Sequence, residues 1–173
     1  MGSDYAVRVA TLEDAEAVGA LLRASYPRLM ARSYDEALLA PALELMTKAN
    51  PSLLGSGTYY LAELSTGLVV GCGGWTVERP GTGAVEPGAG HLRHFAVHPD
   101  WTRRGIGRAI FAVCERDARV AGVTTFECYS SLNAEKFYRA LGFERIREMD
   151  IELRPPVALP GVLMRRDLSR RSL

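Results

Sequence analysis

Three cysteines in 173 residues are too few for a disulfide framework. Their positions, Cys72, Cys114 and Cys128, include no Cys-x-x-Cys pair of the kind a zinc site uses. Lysine is nearly missing as well, with Lys48 and Lys136 standing against a large excess of arginine. Charge of one sign is also lacking, because 21 Lys and Arg face 20 Asp and Glu for a net charge of +1. That balance excludes a broad basic face for nucleic acid or an anionic membrane. No uncharged apolar stretch reaches the roughly 18 to 20 residues of a membrane helix, and the first residues show neither a basic segment nor an apolar run, so export and membrane insertion are not expected. Ala6 stands where a myristoylation signal needs Ser or Thr, so Gly2 is not expected to be lipidated. The compartment that fits is a reducing cytoplasm, and no metal is expected.

Hydrophobic residues at 47% and charged residues at 24% are soluble globular values, and the length suits a single domain over residues 1–173. Tyr5 to Ala10 alternates as a strand. Thr11 with Asp14 resembles a capping box opening a helix whose stripe is Ala15, Val18, Leu22 and Tyr26. Ser33 with Glu36 repeats that pattern, and Pro41 is expected to break or kink the second helix before Leu43 to Lys48. Thr58–Leu64 and Leu68–Val77 read as a hairpin around Ser65-Thr66-Gly67, and Pro80 to Gly90 as a mobile loop. A strand over His91–His98, a strongly periodic helix from Gly105 to Ala121 and a β-rich run over Val123–Tyr129 form a βαβ unit with parallel strands. A short helix over Leu132–Leu141 ends at Gly142, and two strands near Phe143–Leu153 and Val162–Leu168 flank a Pro-rich turn. The expected class is mixed α/β.

Chemistry concentrates between Val97 and Arg108. A strand end runs through a tight turn into the best helix of the chain, and unsatisfied amides at such a helix start, with the positive end of its dipole, hold a phosphate. Arg103, Arg104 and Arg108 add charge there, while Gly105 and Gly107 either let the backbone approach a ligand or simply permit the turn. A nucleotide triphosphatase is disfavoured because no Gly-Lys-[Ser or Thr] follows. A dinucleotide fold is disfavoured because Ile110 replaces the third glycine of Gly-x-Gly-x-x-Gly.

Thr102 to Gly107 resembles the acetyl-coenzyme A signature of the GCN5-related N-acetyltransferases, [Arg or Gln]-x-x-Gly-x-[Gly or Ala], with Thr102 departing from Arg or Gln. Asn133 followed by Phe137-Tyr138-Arg139-Ala140-Leu141-Gly142-Phe143 is similar to a second motif of that family. The resemblance extends over the element order from Tyr5 to Leu168. It implies a central mixed, mostly antiparallel sheet of about seven strands with flanking helices and a cleft where the fourth and fifth strands splay. It further implies that the backbone of Phe95, Ala96 and Val97 pairs with pantetheine, and that Arg103, Arg104, Gly105, Ile106, Gly107 and Arg108 grip the pyrophosphate. The implied reaction is direct transfer of an acetyl group from acetyl-coenzyme A to an amine in a ternary complex.

By the same resemblance Tyr138 is the general acid for the leaving sulfur, although Ala134 and Leu141 share its helix face and packing would also explain it. Asn133 is either a cofactor contact or a first-turn cap. A base is needed because an amine of pKa near ~10 is mostly protonated at neutral pH. His91 is the candidate, the alternative being an exposed histidine at a strand start. His94 is expected on the opposite face, His98 abuts the phosphate turn, and Glu63 is the alternative base, acting through water from a neighbouring strand. Trp75 and Tyr26 are either core or acceptor-pocket residues, and the acceptor wall is expected from Ser33–Lys48 and Pro155–Gly161. The acceptor class, a small molecule or a protein amine, is left open, as are a homodimer and a non-catalytic acyl-coenzyme A sensor. Nucleic acid is not an expected partner, even with the Arg165-Arg166 and Arg170-Arg171 pairs.

Overall fold

Strand β1 (Tyr5–Val9) pairs antiparallel with β2 (Tyr59–Leu64), and β2 turns back through Gly67 into β3 (Val69–Thr76), as the alternation and the short polar turn predict. This geometry comes from a computed structural model that describes residues 4–169; Gly2 and the Arg170-Arg171 pair lie outside the described residues. β4 (Ala89–Val97), β5 (Thr125–Ser131), β6 (Glu144–Arg154) and β7 (Val157–Asp167) complete one sheet in the order β1-β2-β3-β4-β5-β7-β6. Every pairing is antiparallel except β4 with β5, so the expected mixed, mostly antiparallel seven-stranded class is the observed one.

Helix α4 (Ile106–Val120) connects β4 to β5 and buries Ile106, Ile110, Cys114 and Ala118 of the expected stripe together with Phe111, while Ala109 and Val113 are half-buried and Ala121 is exposed. The buried side chains pack on Tyr60, Val70, Leu92 and Phe126 of the sheet, and burying each large one contributes about 1.5–3 kcal/mol. Arg166 of β7 pins this layer: it donates to Leu141 O at 2.8 Å, pairs with Glu115 of α4 at 2.9 Å and lies over the Phe111 ring. On the opposite face sit α1 (Ala15–Met30), α2 (Glu36–Met46) and the single-turn α3 (Pro51–Leu54), around Leu22, Leu54, Leu61, Met30, Leu39 and Leu159.

Four local expectations are corrected. Pro41 lies within a continuous α2: the helix face it shares with Ala37 is exposed, so water can serve the carbonyl left without an N–H, while Leu39 and Ala42 anchor the other face. The N-cap of α2 is Asp35 and not Ser33. The Pro155–Gly161 loop is mostly strand, because Pro160 lies just beyond the Ser131↔Gly161 end of the β5 pairing, where no β5 carbonyl asks for its missing N–H. The helix predicted from Leu132 begins as a 3₁₀ turn over Leu132–Ala134 and becomes α5 only over Glu135–Ala140. Residues 78–88 include an isolated bridge, Glu78↔Val85, ahead of β4. Among the described residues no helix is long and apolar enough to cross a membrane.

Candidate active site

β4 and β5 share only three residue pairs, Ala89↔Thr125, Gly90↔Phe126 and His91↔Glu127. Beyond His91 the strands separate, and β5 stays paired with β7 along its other edge as far as Ser131. The cause is a bulge in β4. Gly74 opposes Arg93 and Cys72 opposes Ala96, so His94 and Phe95 together face the single residue Gly73, and His94 takes a φ of +47°. Gly73 is required here, since a Cβ on it would come 2.7 Å from the Phe95 ring.

The bulge also decides which backbone groups line the opening. His98 N donates to Val70 O, which turns His98, and by alternation Ala96, toward β3. The carbonyls of Phe95 and Val97 point the other way and accept from α1, from Tyr26 Oη at 3.0 Å and Ser25 Oγ at 2.8 Å. Each carbonyl keeps a second lone pair, so of the three residues predicted to meet a ligand strand, Phe95 and Val97 present their backbone and Ala96 does not.

At the far end of β4 the chain passes a 3₁₀ turn over Pro99–Trp101 and enters α4 through Gly105, which adopts φ +78° as its N-cap. Among the described residues no side chain caps this helix, its first turn holds no acidic residue, and a Cβ at Gly105 would meet nothing within 4 Å. The first amides of α4 therefore open onto space with the dipole behind them. Arg103, Arg104 and Arg108 are exposed and have no carboxylate partner among the described residues; Arg104 lies over the Trp101 ring, and Arg108 reaches Ala140 O. Ile106 and Gly107 are buried beneath this rim, and Phe137 packs where a Gly107 side chain would stand.

Tyr138, on α5, is buried across the opening, its ring 6.3 Å from Phe95 of β4 and 5.7 Å from Phe143. The same buried cluster holds Cys128 of β5, so Tyr138 packs between the two separated strands. Burial holds the Tyr138 hydroxyl well above the ordinary phenol range and pushes the Cys128 thiol up to about 12. Asn133 is exposed in the turn before α5 and caps neither helix, Ser131 and Ala134 being the N-cap residues.

With this geometry in view, residues 55–145 match the family described as the acetyltransferase (GNAT) domain. The chain belongs to the GNAT family. No curated protein matches it in sequence. Among solved structures it is similar to a GCN5-related N-acetyltransferase from Rhodopseudomonas palustris, at 22% identity and a TM-score of 0.76 over 96% of this chain and 98% of that one. A PaiA N-acetyltransferase from Thermoplasma acidophilum, solved in complex with coenzyme A, is 15% identical with a TM-score of 0.70, covering 95% and 99% of the two chains. A phosphinothricin acetyltransferase from Sinorhizobium meliloti in complex with acetyl-coenzyme A is 19% identical with a TM-score of 0.63, covering 95% and 89%. At these identities the likeness is one of fold.

The GNAT sheet carries the histidines differently from expectation. His91 is buried at 2% exposure and is not an exposed strand-start residue. It sits beside Glu127, its Nδ1 has no hydrogen-bond partner among the described residues, and burial, reinforced by Arg79 and Arg93 and opposed by Glu127, lowers its pKa. His94 was expected on the other face, but the bulge cancels one alternation, and its imidazole lines a cavity with Met46 of α2 and Leu153 of β6. Burial, with Arg93 nearby, pushes His94 down to about 4. His98 Nδ1 accepts from Asp100 N within the turn. Glu63 is paired with Arg8 of β1, at the opposite side of the sheet from the opening, and drops out as a base. Trp75 is core, packed on Phe126 beneath α4.

Sequence patterns carried no signal for Ser25 or for the Tyr26 hydroxyl contact, because a helix residue that hydrogen-bonds a strand carbonyl 69 or more positions away looks like any other Ser or Tyr.

Proposed function

We propose that residues 1–173 act as one N-acetyltransferase domain that moves an acetyl group from acetyl-coenzyme A to an amine by direct attack in a ternary complex. The observation that carries this is the separation of β4 from β5 beyond His91, roofed by Tyr138 and leading to the uncapped start of α4. The donor would lie along Phe95 and Val97 as a substitute strand, its phosphates on the amides and arginines from Arg103 to Arg108, with Asn133 at the rim. That donor supplies an activated thioester; in the reaction an N–C bond forms, the C–S bond breaks, the amine gives up a proton and the sulfur takes one.

Tyr138 supplies the second proton in this scheme. A free thiol ionises near ~8.5, a poor match for a phenol held above 10. The Cys128 thiol, in the same apolar surroundings, is pushed up to about 12 by burial. A thiolate released beside it is made more basic in the same way and becomes a competent acceptor from Tyr138. His91 takes the amine proton through a water; burial lowers its pKa, which keeps the imidazole neutral at pH 7 although a weaker base than a free histidine. A cytoplasmic setting is supported by the three buried free cysteines. The deciding experiment measures coenzyme A binding by calorimetry and free thiol release with a panel of amines. Binding without release for every amine would make the protein a sensor, and no binding would overturn the donor site.

A further inference from the structure

A cavity of about 300 Å³ lies on the sheet face away from α4, between the end of α2, the start of α3, the β4 bulge and β6. Leu45, Met46, Ala49 and Leu153 form its apolar wall. His94, in the left-handed φ of the bulge, lines the cavity, and its neighbour Phe95 presents its carbonyl to the opening described above. A non-glycine residue in that conformation is strained, and such strain clusters at functional sites.

Two of the polar groups at the cavity, Lys48 and Asn50, are suited to an anion. Lys48 is exposed and has no ion-pair partner among the described residues. The Asn50 Oδ1 accepts from Ser52 N at 3.0 Å, which leaves the amide NH₂ as the donor it can offer. Among the described residues no Asp or Glu lines the space. A polyamine would therefore bring several ammoniums to a site with one like charge and no counter-charge. The volume is at the small end of ligand sites and equals roughly ten waters, the bulk of a free amino acid and less than that of a peptide segment.

We propose, resting on the N-acetyltransferase reading above, that this cavity selects the acceptor as a free amino acid with an apolar side chain. That side chain lies against Met46 and Leu153, the carboxylate is held by Lys48 and the Asn50 amide, and the amino group points past His94 toward the opening. His94 is neutral at pH 7 and offers the entering amine a lone pair instead of a like charge.

The test compares leucine, methionine and phenylalanine with their carboxamides, isoamylamine, spermidine and a Met-Leu peptide. It reads kcat/KM from thiol release and, in parallel, calorimetric binding of each amino acid to the coenzyme A complex. One lost charge-assisted hydrogen bond is worth about ten- to a hundredfold. The best amino acid should therefore exceed its carboxamide by about that factor, and Lys48→Met should shrink that ratio by about tenfold. Leu153→Trp, verified as folded by circular dichroism, should weaken binding of the amino acid by filling the cavity. Equal use of the carboxamide, a lead for spermidine or the peptide, or an unchanged ratio in Lys48→Met would overturn the assignment. If no amine releases thiol, N-acetyl transfer itself fails, and calorimetry still decides the cavity: amino-acid binding lost in Lys48→Met supports it and absence of binding overturns it.

Discussion

The ring of Tyr138 stands nearly edge-on to that of Phe95, 6.3 Å away at an interplanar angle of 73°, and this contact joins a helix after β5 to the bulge of β4. The packing partner of the proposed acid is thus a residue whose own carbonyl is held by Tyr26. Removing the hydroxyl by Tyr138→Phe leaves the rings in place, so turnover should fall by roughly 10- to 10⁴-fold with coenzyme A affinity nearly unchanged. Unaltered turnover when chemistry limits the rate would remove Tyr138 from the acid role, and a large loss of thermal stability would mark it as core only.

Gly105 opens α4 at φ +78° with free space in front of it. An alanine there carries a left-handed penalty of roughly 1–2 kcal/mol, or about 2–8 °C in Tm for a domain of this size. It also places a methyl where phosphate would approach the amides, so coenzyme A affinity should drop by at least about tenfold. Calorimetry beside a melting curve separates the two effects; full affinity in Gly105→Ala would exclude this turn as the pyrophosphate site.

His91 has its pKa lowered chiefly by burial, which keeps the imidazole unprotonated to a lower pH than a free histidine. With a saturating amine the ascending limb of the pH–rate profile should contain an ionisation below 6.5 that disappears in His91→Gln. Profiles that superimpose for the two proteins would show that the enzyme draws on the rare free amine without this base.

His94 falls from the ordinary 6.5 to about 4 in the folded protein. Between those values the unfolded chain binds a proton that the folded one refuses, so stability is fully present above 6.5 and is lost as pH falls toward 4. Urea midpoints across that window should decline in the wild type and decline less in His94→Gln. Equal slopes would place His94 in water, not in a desolvated cavity.

The amino-acid order by itself determined the order of the seven strands, the helices α1, α2, α4 and α5 between them, the parallel β4–β5 pair and the glycine turn before α4, but not the single-turn α3. Each of these is written in local terms: a period of two or 3.6, a tight turn, a crossover too long for a hairpin. Tyr138 and the Arg103–Arg108 turn were legible for the same reason, being contiguous motifs. Only the tertiary structure decided the face of His94, because one extra residue opposite Gly73 reverses every later side chain and nothing in His-Leu-Arg-His-Phe announces a bulge. Burial of His91, withdrawal of Glu63 to Arg8, and the cavity joining Met46, Lys48, His94 and Leu153 arise the same way. They depend on which elements meet across the sheet, a long-range packing outcome that no window of neighbouring residues contains.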